Sequence, residues 1–70
     1  MRYMVVIERV ETSFGAYVPD LPGCVAVGET EDEVKDSIHE AIEIHLEDLS
    51  DSGAGMPVPR SYSEYVEVAA

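Results

Sequence analysis

The sequence predicts an α+β fold in which three strands, one helix and a fourth strand follow one another along the chain. Short runs of β-branched residues fill the chain before residue 28, and similar sequence returns between Tyr62 and Val68. Between them, apolar residues recur with a helical period from Val34 to Leu49. A right-handed crossover would set the last strand parallel to the first. The expected β-β-β-α-β unit is therefore a four-stranded mixed sheet of order 3-2-1-4, with one helix packed on one face.

The first three strands are predicted from local composition. Tyr3–Val10 is rich in β-branched residues, and its early part is apolar at every position, which is typical of a strand covered on both faces. Glu11–Ser13 is a turn, and Phe14–Val18 pairs with the first strand as a hairpin. Cys24–Val27 supplies the third strand.

The segment Val18-Pro-Asp-Leu-Pro-Gly-Cys24 predicts a rigid corner between the second and third strands. Proline fixes φ, lacks an N–H and biases the preceding residue toward extended geometry. Gly23 can adopt a positive φ at little cost. Nothing in the corner resembles a nucleophile or a metal site, so Asp20 is interpreted as a turn acid and not a catalytic one.

The helix has clear signals at both ends. Thr30 at the N-cap and Glu33 three residues later form a capping box. The helix is expected to fray at Ser50–Ser52, with Gly53 as its C′ residue. One apolar stripe should face the sheet: Val34, Ile38, Ala41, Ile42, His45, Leu46 and Leu49.

The length of 70 residues limits the size of the core, and a single cysteine excludes an intrachain disulfide. Cys24 is expected to be a small buried hydrophobe. No Cys/His cluster suggests a metal, so we predict no metal and no cofactor. A sheet that is apolar on both sides and covered by one helix leaves its other face open. We therefore predict a homo-oligomer, a dimer or higher.

The net charge of −11 restricts the class of partner. Such a field repels phosphates, which argues against direct nucleic-acid binding, and it favours a basic protein partner. Acidity that serves only solubility remains the alternative. The N-terminal apolar run is too short for a signal peptide and no stretch could span a bilayer, so we expect a cytoplasmic protein without membrane contact.

Carboxylates are the only abundant functional groups, and a two-metal nuclease is therefore the main enzymatic alternative. Its acids would be Glu8, a helix acid and Glu64 or Glu67, but most helix acids lie away from the sheet, and solvated acids are the preferred interpretation. His39 and His45 are six residues apart, which is not a same-face metal spacing. The role of His45 stays open, and we expect no enzyme.

Four segments carry a resemblance to a known family: VPDLPGCVAVGET at residues 18–30, EAIEIHLEDL at 40–49, MPVP at 56–59 and YVEV at 65–68. Together they resemble the N-terminal domain of the HicB-type antitoxins of toxin–antitoxin modules, over nearly the whole chain. The resemblance implies a partial RNase H-like fold without catalytic acids. It also implies a type II antitoxin that binds and neutralises a small basic HicA-type toxin, an mRNA-cleaving protein, by occluding its active surface.

The chain is expected to be a single HicB-like domain over residues 1–70. Family members usually carry a C-terminal DNA-binding domain, whereas this sequence reaches Ala70 with no basic recognition element, so we expect none here. For toxin contact we predict the exposed helix acids Asp36, Glu40, Glu43 and Glu47. The alternative function is an orphan self-associating scaffold, or a small-ligand-binding domain of the same fold.

Overall fold

Three strands and one long helix make up the regular structure in the computed structural model, which describes residues 1–70. The strands are β1 (Val6–Val10), β2 (Ser13–Tyr17) and β3 (Val25–Gly28), and the helix is α1 (Glu31–Asp51). Both strand pairs are antiparallel and the sheet order is β1-β2-β3. The helix packs on β3 and β2, which leaves β1 at a free edge of the sheet.

The predicted fourth strand is wrong, and with it the mixed sheet of order 3-2-1-4. The fold is α+β, but the sheet has three antiparallel strands in the order 1-2-3, and residues 62–68 are exposed and form no strand. Pro57 and Pro59 have no N–H to donate to a ladder. The next two N–H groups, of Arg60 and Ser61, donate to the Asp20 carboxylate instead. Arg60 and Ser61 are thereby held at the corner, and residues 62–68 follow them without pairing with β1.

β1 begins at Val6 and not at the predicted Tyr3, because β2, the strand that pairs with it, ends at Tyr17. The last pair of the β1–β2 ladder is Val6 with Tyr17. The register would continue with Val5 opposite Val18 and then Met4 opposite Pro19, which cannot donate a backbone hydrogen bond. Residues 3–5 are accordingly outside the strand, although they remain half-buried.

The corner between β2 and β3 consists of two consecutive β-turns. The N–H of Leu21 donates to the Val18 carbonyl and the N–H of Cys24 donates to the Leu21 carbonyl, each at 3.0 Å. The second turn has Pro22 followed by Gly23 at φ +85°, which are the residues and geometry of a type II turn. The rigid corner predicted from the sequence is thus confirmed.

The corner also supplies half of the buried core. Only six of 70 residues are buried, and three of them, Val18, Leu21 and Cys24, come from the corner. The others are Ala16 of β2 and Val34 and Ile38 of α1. Cys24 is a buried free thiol, as predicted. Since the core is so small, the corner is as important to it as the helix.

The helix begins at the predicted N-cap. The Thr30 side chain accepts from the Glu33 N–H at 3.1 Å, while the Glu33 carboxylate accepts from the N–H of Glu29 at 2.9 Å, one residue before the N-cap. Gly28 lies so close to this turn that a Cβ on it would be 2.7 Å from the backbone nitrogen of Val34. The tight approach of β3 to α1 therefore requires a glycine.

The helix ends at the predicted glycine in a Schellman motif. Gly53 has φ +77°, and its N–H donates to the Ser50 carbonyl while the N–H of Ala54 donates to that of Leu49. This arrangement satisfies carbonyls of the last helical turn and turns the chain back toward the sheet.

Asp20 ties the returning chain to the corner. Its Oδ2 accepts from the N–H groups of Arg60 and Ser61, both at 2.9 Å, and its Oδ1 accepts from the Ser61 hydroxyl at 2.8 Å. Because these donors stabilise the carboxylate, they lower the pKa of Asp20 below its usual 3.8. The Tyr3 hydroxyl also donates to the Pro57 carbonyl. Residues 57–61 are therefore held against the domain, and the exposed residues 62–70, here named the tail, begin where this attachment ends.

Gly28→Ala should destabilise the fold because the new methyl group would meet backbone that cannot move without shifting the helix. We expect a loss of about 1–3 kcal/mol in the free energy of unfolding, measured by urea denaturation. Gly15→Ala is the matched control, because a Cβ at Gly15 meets nothing within 4 Å. An equal loss in both variants would contradict the close approach at Gly28.

Asp20→Ala should release residues 60 and 61 from the corner. We expect the amides of Arg60 and Ser61 to lose protection from hydrogen exchange, measured by NMR, whereas Asp36→Ala leaves them unchanged. Because the folded pKa of Asp20 is lowered, its stabilising effect is fully present above the unfolded value of 3.8 and is lost as pH falls through the folded value. The amide shifts of Ser61 should report that titration, and a midpoint at or above 3.8 would contradict the attachment.

Candidate partner-binding surface

The four predicted partner-binding acids lie on one exposed face of α1. At 100° per residue they fall within an arc of about 60°, and they extend along about 16 Å of the helix axis. All four are exposed, and they are here named the acidic stripe: Asp36, Glu40, Glu43 and Glu47. The structure therefore brings these residues onto a single continuous surface.

The stripe points to solvent because the opposite side of the helix meets the sheet. Val34 and Ile38 are buried against the corner and β2, and the later residues of the predicted apolar stripe are half-buried: Ala41, Ile42, His45, Leu46 and Leu49. Ile44, which the predicted apolar stripe does not include, is 53% exposed. The helix is thus amphipathic, with its charge concentrated away from the core.

Most of the stripe has no cationic partner. The protein contains two ion pairs, Lys35 with Glu31 at 3.7 Å and His39 with Glu43 at 3.4 Å, and both are solvent-exposed. The second exists as an ion pair only when His39 is protonated. Asp36, Glu40 and Glu47 therefore present negative charge that no side chain of this chain neutralises.

A second surface lies beside the helix, between α1 and the N-terminal part of the chain. It is a groove of about 560 Å³, here named the β1–α1 groove. Twelve residues line it: Met1, Arg2, Tyr3, Val5, Ile7, Lys35, Ile38, His39, Ile42, Glu43, Leu46 and Met56. The groove exists because α1 covers β2 and β3 but not β1. Its floor is apolar, and two of the four basic residues of the chain stand at it, Arg2 and Lys35.

A third surface is the face of the sheet that α1 does not cover. The register places Val6, Tyr17 and Val25 in one row across the three strands on this face, with Val27 beside them. Val25 is 64% exposed and Val27 is 78% exposed. The open apolar face expected from the sequence is therefore present.

The residues of the enzymatic alternative are dispersed. Glu8 is exposed on β1, while Glu64 and Glu67 belong to the exposed tail. No group of three or more His, Cys, Asp and Glu side chains is placed to hold a metal ion. Burial raises the pKa of the Cys24 thiol, which disfavours its reactive thiolate form.

His45 is half-buried at the edge of the core. It lines a small cleft together with Cys24 of the corner, Val25 of β3 and Ile44 of the helix. No helix of the protein is long and apolar enough to cross a membrane.

Two features of these surfaces were not predicted from the sequence. The attachment of residues 60 and 61 to Asp20 joins groups 40 and 41 positions apart, and no local pattern marks such a pair. The β1–α1 groove depends on where the helix crosses the sheet, which periodicity does not determine. The only available signal for either was the corner motif itself, in which a carboxylate stands between two prolines.

The acidic stripe, the β1–α1 groove and the exposed sheet face are surfaces of the class that contacts other molecules. A protein-family model described as "HicB_like antitoxin of bacterial toxin-antitoxin system" matches residues 3–69, which is nearly the whole chain. The chain belongs to this family of HicB-like antitoxins, as its motifs indicated. Membership supports an antitoxin of a toxin–antitoxin system and suggests a regulatory role without enzymatic activity.

Three curated relatives show the same similarity. An "Uncharacterized 14.9 kDa protein in rep-hol intergenic region" of Haemophilus phage HP1 is 32% identical over 66 residues, covering 94% of this chain and 50% of the phage protein. A "UPF0150 protein" of Helicobacter pylori is 40% identical over 65 residues, covering 91% of this chain and 90% of that protein. A "UPF0150 protein" of Archaeoglobus fulgidus is 40% identical over 48 residues, covering 67% and 70% respectively. The chain thus spans half the length of the phage relative, and no solved structure matches it.

Glu40→Lys should stabilise the isolated protein. Glu40 is four residues from Asp36 and three from Glu43, and like charges at these spacings destabilise a helix. We expect a gain of about 0.5–1 kcal/mol in the free energy of unfolding at low ionic strength, because two repulsive pairs become attractive. Urea denaturation measures it, Glu40→Gln should show an intermediate gain, and added salt should reduce both. A loss of stability in Glu40→Lys would show that the stripe is not the repulsive array described here.

Proposed function

We propose that the protein is the antitoxin of a type II toxin–antitoxin module and neutralises a small basic HicA-type toxin that cleaves mRNA. In this proposal the acidic stripe of α1 binds the cationic RNA-binding surface of the toxin and occludes it. Membership of the HicB-like antitoxin family supports a toxin partner in general terms. The basic character of that partner and the surface that it contacts are inferred from the physical properties of this chain.

The observation that carries the proposal is the acidic stripe. Its four exposed acids repel one another at helical spacings, and three of them have no cationic partner within the chain. An arrangement that costs stability in the free protein gains interaction energy when a cationic surface covers it. A protein that binds RNA must present such a surface, because it neutralises phosphates.

The overall charge of −11 supports the same partner through the rate of encounter. A field of this size accelerates association with an oppositely charged protein and disfavours association with RNA or DNA. The antitoxin would therefore compete with mRNA for the toxin without binding mRNA itself. This activity places the protein in the cytoplasm, where its target acts.

A second candidate function is self-association without a toxin, as a scaffold or a binder of small apolar ligands. The β1–α1 groove and the exposed sheet face favour it, because a monomer of this size leaves both apolar surfaces open. A chromosomal neighbourhood without a small basic reading frame would favour this candidate over the antitoxin.

The test of the antitoxin proposal is binding to the small basic protein encoded beside the gene. We expect the full chain to co-purify with that protein and to restore growth of cells that express it. Glu40→Lys/Glu47→Lys should weaken the complex by about 100-fold or more in a calorimetric titration, because like charges brought face to face cost several kcal/mol.

The matched control is Glu8→Lys/Glu11→Lys, which changes the net charge equally but lies on β1 and its turn, away from the stripe. We expect it to weaken the complex by less than about tenfold, through slower encounter alone. Equal losses in the two double variants would show that the stripe is not the contact surface. A neighbouring toxin that the wild-type chain neither binds nor neutralises would refute the antitoxin function.

A further inference from the structure

The β1–α1 groove is open both on its apolar floor and along its backbone edge. Tyr3, Val5 and Ile7 line the floor from one side, and Ile38, Ile42 and Leu46 line it from the helix. β1 is hydrogen-bonded to β2 only, so its other edge has unpaired N–H and C=O groups. Such an edge readily pairs with an extended segment, and proteins usually cover it.

The tail of the same chain is an extended segment of matching character. Tyr62, Tyr65, Val66 and Val68 are 77–97% exposed, so the tail is not packed on its own domain. Its apolar and polar residues alternate at the end, which puts Val66 and Val68 on one face and Glu67 on the other. The tail thus has an apolar face and an unpaired backbone. The groove has an apolar floor and an unpaired backbone edge, so the two are complementary.

Length and position fit as well. Nine extended residues, 62–70, cover about 30 Å, and the stretch from Tyr3 to Val10 measures about 26 Å at the same rise. Ser61, Tyr62 and Ser63 share a cleft with Arg2, Tyr3 and Met4, so the tail leaves the domain beside the mouth of the groove. A second copy placed beside this one would therefore find donor and acceptor next to each other.

Charge selects the tail over a cationic partner. Arg2 and Lys35 stand at the groove in a chain that has four basic residues in all. The tail carries Glu64 and Glu67 and no basic residue. Glu43, the acid that lines the groove, faces His39 at 3.4 Å. Lys35 is already paired with Glu31 at 3.7 Å, so Arg2 is the cation of the groove that has no acidic partner. A basic toxin would meet repulsion from Arg2, whereas the acidic tail would meet attraction.

We propose that two copies of this chain exchange tails, each tail lying along the β1 edge in the β1–α1 groove of the other copy. Every copy has one tail and one groove, so a two-fold arrangement uses both and closes as a dimer. Val66 and Val68 face the apolar floor, and Glu64, on the same face of the tail, points toward Arg2 and Lys35 at the groove, whereas Glu67 lies on the opposite face. The contact is between two chains, and each chain keeps its own three-stranded sheet. The proposal does not depend on antitoxin activity, because Asp36, Glu40 and Glu47 of the acidic stripe lie outside the groove and remain uncovered.

Sedimentation equilibrium on the full chain tests the exchange. We expect a dimer at micromolar concentration, and we expect Val66→Asp/Val68→Asp to weaken dimerisation by about 100-fold or more, because two apolar side chains per tail lose their burial. Both residues are exposed in the single chain, so the monomer should fold unchanged, which far-UV circular dichroism checks. Ser63→Asp/Ala69→Asp is the matched control, since it adds the same charge to the other face of the tail, and it should change the dimer constant by less than about tenfold.

A mixing experiment identifies the contact. Glu8→Cys and Glu67→Cys chains, each with its new thiol exposed, are mixed and treated with a short thiol crosslinker, while the buried Cys24 stays unmodified. With the two chains in equal amounts, we expect the crosslinked heterodimer to exceed the two homodimers taken together, which is the yield that random pairing gives. A wild-type chain that sediments as a monomer, equal weakening by the two double variants, or a crosslinked heterodimer no more abundant than the two homodimers together would each overturn the proposal. Retained toxin binding by Val66→Asp/Val68→Asp would show that the two surfaces act independently.

Discussion

The burial of Leu21 at the corner between β2 and β3 is the constraint on which the rest of the structure depends. Its side chain is completely buried, in a segment that two turns and the sequence Pro22-Gly23 hold rigid. The residue before it points the other way: Asp20 holds Arg60 and Ser61 by three hydrogen bonds. Two adjacent residues therefore organise the core on one side and the return of the C-terminal chain on the other. A corner that flexed would disturb both.

The small core explains why so much of the surface is available for contact. The helix has 21 residues, yet only Val34 and Ile38 are buried, because the three-stranded sheet is too narrow to cover the whole apolar side of α1. The apolar side of α1 that extends past the sheet lines the β1–α1 groove. The face of the sheet turned away from α1 stays exposed. The acidic stripe lies opposite the core and contributes nothing to it. Core, groove and stripe thus occupy adjoining sectors of a single helix, with Ile38 shared by core and groove and Glu43 shared by groove and stripe.

Local chemistry accounts for the parts of the structure that the sequence predicts. The capping residues of α1, the apolar stripe from Val34 and the Pro-Gly corner each depend on neighbours within a few residues, and each is confirmed. The fourth strand is wrong because β-type sequence at residues 62–68 shows only that the segment could be a strand. Pairing also requires the chain to approach the free edge of β1, and the hydrogen bonds by which Asp20 holds Arg60 and Ser61, just before this segment, are invisible in local sequence. The acids of the stripe could be placed on one face from spacing alone, whereas the groove beside them required the observed packing of α1.

The confinement of the core to a short part of the chain has a consequence for how the sequence can diverge. All six buried residues lie between Ala16 and Ile38, and none lies in the tail or in the second half of the helix. Substitutions at the exposed positions after Ile38 therefore change the surfaces that meet other molecules while they leave the six buried residues untouched. Paralogous copies of such a gene in one genome could acquire different partners through changes in that half alone. The residues that determine the fold and the residues that determine the choice of partner thus lie largely in different parts of the chain.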